Sequence, residues 1–266
     1  MKQRTLGLLT LTLVLIFGPE PCFSQSAWQE MIRQNPAAID DSSIDWQQRL
    51  ILDVLTEDFG KVSLLAKGVR KNRSKTLGLL QPFKPLSVSY AGKTDLKTLS
   101  QVESRPPLLN LTGISLYCGF YVNDLAHHFL HPYDPHPEVF RSYRECLIGL
   151  SEKDSIEEVL RLFEISLLEY AGYGLQLEED AVNSKPINPE KHYQFYVDQG
   201  AVEELNGPFS GATLIALKEK RLNNERVLAE AKKLMRSMID FHLQGKKLKS
   251  RELISKIIKQ SLGKDE

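Results

Sequence analysis

From Leu50 the apolar residues of this chain repeat with a period of two as far as Pro106 and Pro107 and with a period of about 3.6 beyond them, so two kinds of structure must follow one another. In "RLILDVLTEDFGKVSLLAKGVR", Leu50, Leu52 and Val54 alternate with Ile51, Asp53 and Leu55, "EDFG" supplies a turn, and Val62, Leu64 and Ala66 resume the alternation. The stretch "PLSVSYAGKTDLKTLSQVE" repeats the design. Leu86, Val88 and Tyr90 alternate with Ser87 and Ser89, "AGKTD" turns, and Leu96 to Val102 makes a further strand. Several short strands joined by basic loops predict a small barrel of the oligonucleotide-binding kind.

Beyond the two prolines the pattern is helical. In "GISLYCGFYVNDLAHHFL", Leu116, Phe120, Val122 and Leu125 fall near helical spacing, and the segment from Asp134 to Pro137 turns. "SIEEVLRLFEISLLEYAGYG" opens with Ser155 and Glu158 in capping-box register and closes at Gly172 and Gly174. A loop, "LEEDAVNSKPINPEKH", leads to "HYQFYVDQGAV", which reads as a small hairpin, and two or three further helices run from near Gly211. The fold class is therefore α+β: a barrel, then a helical domain.

The formal net charge is zero, but the charges are segregated. From Lys61 to Arg105 ten Lys/Arg face Asp95 and Glu103; from Ser151 to Leu205 thirteen Asp/Glu face four Lys/Arg; from Leu217 to Gln260 thirteen Lys/Arg face five Asp/Glu. Such asymmetry points to a polyanion, nucleic acid before membrane, although solvated helix faces give the same statistics. Lys67, Arg70, Lys71, Arg73 and Lys75 directly follow a strand, and Gly68 lets the backbone turn sharply toward a ligand. Lys93 and Lys97 flank the next hairpin. A groove that tracks phosphates also needs aromatic platforms; Tyr90 and Phe83 are the nearest, with Phe83 reading as core.

No catalytic inventory accompanies this charge. No phosphate-binding loop, dinucleotide fingerprint or nucleophile elbow occurs, so no catalytic residue is assigned. The three cysteines, Cys22, Cys118 and Cys146, are far apart and form no C-x-x-C pair, and the last two sit among apolar residues as buried thiols. In "NDLAHHFLHPYDPHP", Asp124, His127, His128 and His131 share one helical face at a spacing that suits zinc or iron, but Pro132 ends the run and no general base follows. No metal or other cofactor is assigned.

The N-terminus conflicts with the rest. Lys2 and Arg4 lead an apolar run from Leu6 to Phe17, followed by Pro19, Pro21, Ser24 and Ser26, which is the layout of a secretory signal and too short to span a bilayer. Either the protein is exported, or the true start lies further on, Met31 being the next methionine.

The blocks "LDVLTEDFGKVSLLAKGVR", "LLQPFKPL", "GKTDLKTL", "FEISLLEYAGYGLQL" and "LKSREL", in this order from about Leu50 to Ile257, resemble the RecO family of bacterial DNA-repair proteins. The resemblance implies an N-terminal oligonucleotide-binding barrel over residues 31–105 and a helical domain over 106–266. It implies binding of single- and double-stranded DNA, annealing of complementary strands, and action with RecR to load RecA on DNA coated by single-strand-binding protein. None of this needs a nucleotide or breaks a covalent bond.

By the same resemblance, Lys67, Arg70, Lys71 and Arg73 match a basic A-K-G-x-R segment that contacts phosphate, and Lys93 and Lys97 match a basic hairpin. Arg161 matches a position that helps bind the acidic tail of single-strand-binding protein, its plain alternative being a helix-face pair with Glu157 or Glu158. Lys249 and Arg251 match the C-terminal block, with Lys249 open to DNA and Arg251 anchoring the last helix. Two departures stand out. Many relatives carry four zinc-binding cysteines after the "GYG" helix, whereas this chain resembles the zinc-free variety with a hairpin near residues 185–205. Relatives also open with an apolar strand where this chain has "AAIDDSSIDWQQ". A cytoplasmic, nucleoid-associated role makes residues 1–30 an upstream extension outside the fold, with no membrane partner. The rival readings are an annealing protein without mediator partners and an exported helical protein holding a metal at the histidines.

Overall fold

The computed structural model describes residues 12–13, 50–68, 75–152, 155–222, 224–252 and 254. Two compact units result. One holds residues up to Asn110 together with His131–Phe140; the other holds Leu111–Leu130 and the chain from Arg141 onward. The sequence places the boundary near residue 105 and does not anticipate the return of His131–Phe140 to the first unit.

The first unit is a closed barrel. Strands β1 (Thr12–Leu13), β2 (Leu50–Thr56), β3 (Gly60–Ala66), β4 (Pro85–Ala91) and β5 (Leu96–Ser104) pair in the order β1-β2-β3-β5-β4, with β4 returning to β1. All pairings are antiparallel except β3 with β5, where Ser63 lies opposite Leu96 and Leu65 opposite Thr98. This is the topology of an oligonucleotide-binding barrel. The alternation read from sequence becomes its core: Leu50, Leu52, Val54, Val62, Leu64, Ala66, Leu86 and Val88 point inward, and Leu99, Val102 and Tyr90 pack against them. A short helix, α1 (Lys75–Leu79), lies where the sequence reads only a basic loop.

The N-terminal reading needs correction. Thr12 and Leu13, inside the apolar run assigned to an upstream extension, pair with Thr56 and Leu55 on one side and with Leu86 and Pro85 on the other. The physical reason lies in the barrel: four strands alone leave β2 and β4 with unpaired backbone edges, and an apolar, strand-competent segment closes them.

In the second unit, helices α2 (Ile114–Phe129), α4 (Ile156–Leu168), α5 (Gly211–Glu219) and α6 (Glu225–His242) match the periodicity. Helix α3 (Pro137–Glu152) begins on a proline suited to a first helical position, and its Tyr143, Leu147 and Leu150 are fully buried. Ser155 does cap α4, but its side chain makes no capping hydrogen bond. Cys118 and Cys146 are buried, and burial pushes the Cys118 thiol up to about 11.

The expected hairpin is a three-stranded sheet, β6 (His192–Tyr196), β7 (Gly200–Glu203) and β8 (Phe209–Ser210), in the order β7-β6-β8. One carboxylate organises it. Asp180, 2% exposed, accepts the Val182 and Asn183 N–H groups on Oδ1 at 2.9 and 2.7 Å and the Glu203 N–H on Oδ2 at 2.6 Å, tying the 180–186 loop to β7. Burial acts to raise this carboxyl, but the N–H donors of Asn183, Glu203 and Val182 outweigh it and hold it below the ordinary carboxylate range.

Because folded Asp180 releases its proton more readily than unfolded Asp180, its contribution is complete above about pH 3.9 and is lost as pH falls through the lower folded value. Asp180→Asn is therefore expected to cost about 2–3 kcal/mol at neutral pH and to flatten the acid limb of a stability-against-pH curve measured by urea unfolding. A chain beginning at Met31 lacks β1 and is expected to show a lower urea midpoint and concentration-dependent self-association; a midpoint equal to that of the full chain would mean the Thr12–Leu13 pairing adds nothing.

Candidate nucleic-acid interface

The β2–β3 turn sets the geometry of the barrel's basic surface. The Thr56 hydroxyl donates to the Gly60 carbonyl at 2.9 Å and accepts the Phe59 N–H at 3.0 Å, closing "TEDFG" into a tight turn. Gly60 has φ 64°, and a Cβ placed there would lie 2.2 Å from the Asp134 carbonyl oxygen. Only glycine lets the segment after α2 come this close. That segment then lies along β3: Lys61 bridges Pro132 in parallel, and the Tyr133 N–H donates to the Lys61 carbonyl at 3.0 Å.

This contact delivers an aromatic that the sequence does not reveal. Tyr133, 38% exposed, donates its hydroxyl hydrogen bond to the Asp95 carbonyl in the β4–β5 turn, and the Lys97 ammonium sits 5.2 Å from its ring centroid. Burial, with Asp95, Tyr90 and Asp53 nearby, raises the phenol's pKa. Cation–π attraction at such a distance orients the lysine as well as the ring.

Among the described residues the basic positions differ in exposure and partners. Lys61 is buried, and desolvation lowers its ammonium pKa against the opposing effect of Asp53. Lys84 donates to the Gly78 carbonyl at 3.1 Å, and Arg105 lies 3.7 Å from Glu103. Lys67 and Lys93 are exposed, and Lys97 is half-buried. Lys67 follows the end of β3, while Lys93 sits in the turn before β5, whose start lies beside Ser63. At about 3.3 Å per residue, the two lysines are separated by more than roughly 13 Å along the strand direction. Arg70, Lys71 and Arg73 lie outside the described residues, as does the Lys75 side chain at the first position of α1. Tyr90 is half-buried against the barrel core at a β-bulge, and burial raises its pKa, so it is less of a platform than Tyr133.

On the helical unit, Arg161 is corrected. It is 5% exposed and donates to Glu164, itself 1% exposed, which also accepts the Tyr121 hydroxyl at 2.7 Å. Burial pushes the Glu164 carboxyl up, against the pull of Arg161 and Tyr121. A guanidinium so enclosed is not presented to an incoming carboxylate. Of the helix-face partners expected for it, Glu157 pairs instead with Lys232 at 2.7 Å. Arg251 pairs with Asp240 and lies 5.5 Å from the Tyr121 ring centroid, anchoring the last helical segment; Lys249 is exposed at its start.

The histidine face serves packing. Asp124 accepts the Ser250 N–H at 3.0 Å and its hydroxyl at 2.8 Å and lies 3.6 Å from His128, and His131 belongs to the barrel unit. Among the described residues no group of three His, Cys, Asp or Glu side chains is arranged to hold a metal ion. Among them, too, no helix is long and apolar enough to cross a membrane.

The topology and the lysine-and-tyrosine surface define the class: an oligonucleotide-binding barrel joined to a C-terminal helical unit. Residues 46–107 match the family described as recombination protein O N terminal, and residues 111–252 match recombination protein O C terminal. The chain is 42% identical to DNA repair protein RecO of Methylococcus capsulatus over 77% of its own length and 85% of the relative's. It is 37% identical to the RecO of Glaesserella parasuis, covering 81% and 92% of the two chains, and 39% identical to that of Vibrio parahaemolyticus, covering 78% and 86%. The chain belongs to the RecO family of DNA repair proteins.

Removing the buried guanidinium would leave the Glu164 charge enclosed without its partner. Arg161→Ala is therefore expected to lower stability by about 3–5 kcal/mol in urea titration, in contrast to a surface anchor, whose loss would weaken peptide binding at unchanged stability.

Proposed function

We propose that this protein acts as a mediator in recombinational DNA repair. It binds single- and double-stranded DNA, anneals complementary strands and, with RecR, helps to load RecA on DNA covered by single-strand-binding protein. The observation that carries this reading is the match to both halves of the RecO family together with a barrel that bears exposed or half-exposed Lys67, Lys93 and Lys97. Binding and annealing need charge and stacking rather than bond-breaking, so no catalytic residue or cofactor enters the mechanism. The phosphate contacts proposed are Lys67, Arg70, Lys71, Arg73 and Lys75 after β3, Lys93 and Lys97 around the β4–β5 turn and, as a separate contact, Lys249 of the helical unit. The place of action is the cytoplasm, on nucleoid DNA. The tail of single-strand-binding protein remains a partner, but Arg161 is assigned to packing.

Salt dependence tests the reading. Anisotropy of a labelled single strand with the full chain is expected to give log K falling with log salt by roughly 0.7 per neutralised phosphate. Lys93→Ala with Lys97→Ala is expected to weaken binding about equally for all sequences and to flatten the slope by roughly one to one and a half. Salt-independent binding that ignores these substitutions would contradict the reading.

A further inference from the structure

We infer that Tyr133, supplied to the barrel by the segment between α2 and α3, is the stacking platform for a nucleobase of single-stranded DNA. The inference rests on the DNA-binding reading and assigns it a residue that the barrel's own strands do not contain.

Three observations converge on this ring. Tyr133 is 38% exposed, whereas Tyr90 is spent on packing against the barrel core. Its position is fixed from three directions: by its N–H on Lys61, by its hydroxyl on Asp95 and by the Lys97 ammonium beside the ring. An aromatic fixed next to a cation can hold a base on its face and the adjoining phosphate on the ammonium without further ordering.

The backbone adds the third observation. Tyr133 has φ 60°, a region that asparagine and glycine enter readily and bulky residues avoid. Phe83, with φ 64°, shares the anomaly but is 3% exposed, so burial in the barrel accounts for it. Tyr133 has no such compensation in burial. The hydrogen bonds to Lys61 and Asp95 hold the tyrosine at this backbone conformation, and the exposed part of the ring is left for use outside the fold.

Stacking needs an unpaired base, which separates this role from phosphate binding. The test uses the full chain, a labelled oligothymidylate of about 15 nucleotides and a duplex of equal length. Tyr133→Asn is expected to stay folded, the easier backbone offsetting part of the lost hydroxyl bond to Asp95, and to bind the single strand about five- to a hundredfold more weakly. The loss should be several-fold larger on the single strand than on the duplex, and Tyr133→Phe should retain single-strand binding. An independent measurement needs no variant. Photocrosslinking of a 5-iododeoxyuridine strand to the wild-type chain should give an adduct on the peptide containing Tyr133.

Wild-type single-strand affinity in a folded Tyr133→Asn variant would overturn the inference and leave the DNA reading intact. So would equal losses on single strand and duplex with a flatter salt slope, which would make Tyr133 a positioning residue for Lys97. Adducts confined to other peptides would overturn it as well. A wild-type chain that binds neither DNA would remove both the inference and the reading beneath it.

Discussion

The hydrogen at the α-carbon of Gly60 governs what can lie on the outside of this barrel. A methyl group there would meet the Asp134 carbonyl at 2.2 Å, well inside van der Waals contact, so the "HPYDP" segment reaches β3 only because residue 60 has no side chain. From that approach follow the Lys61–Pro132 bridge, the Tyr133 hydrogen bonds and the placement of Lys97. The barrel alone would carry a lysine turn; with the added segment it carries a lysine turn built around an ordered aromatic.

The barrel was readable from sequence because a period of two is hard to mistake when small-residue turns bound it. β2, β3, β4 and β5 lie where the alternation puts them, to within a residue or two at the ends. The closing strand was not readable. The run around Thr12 and Leu13 is leucine-rich behind Lys2 and Arg4, with Thr10 and Thr12 interrupting it, so its composition is shared by an export signal and by a strand. Helix α3 could have been found, because Pro137 opens it and Val139, Phe140, Tyr143, Cys146, Leu147 and Leu150 keep helical spacing to its end.

The lysines of the candidate site were legible in the sequence; their placement on the barrel was not. Lys67, Lys93 and Lys97 are on the barrel surface as expected, but strand register separates the first from the other two, and Lys61 is withdrawn by burial. Tyr133 lies outside the strand-rich segment and reaches its place through a contact across some seventy residues, which no local pattern encodes. Arg161 fails for the converse reason. A periodic sequence shows that it lies on a helix, but only packing shows that its face is turned inward to Glu164 and Tyr121.

The Asp180 hub has a consequence in redox chemistry. The residues of this small sheet and its loop, 180–210, include no cysteine, so a carboxylate and three backbone N–H groups hold it without a thiol for an oxidant to attack. Peroxide, which attacks thiolates, finds no such target among the groups that make these bonds. The tie between this loop and β7 is therefore sensitive to pH, through Asp180, and not to the redox state of a thiol.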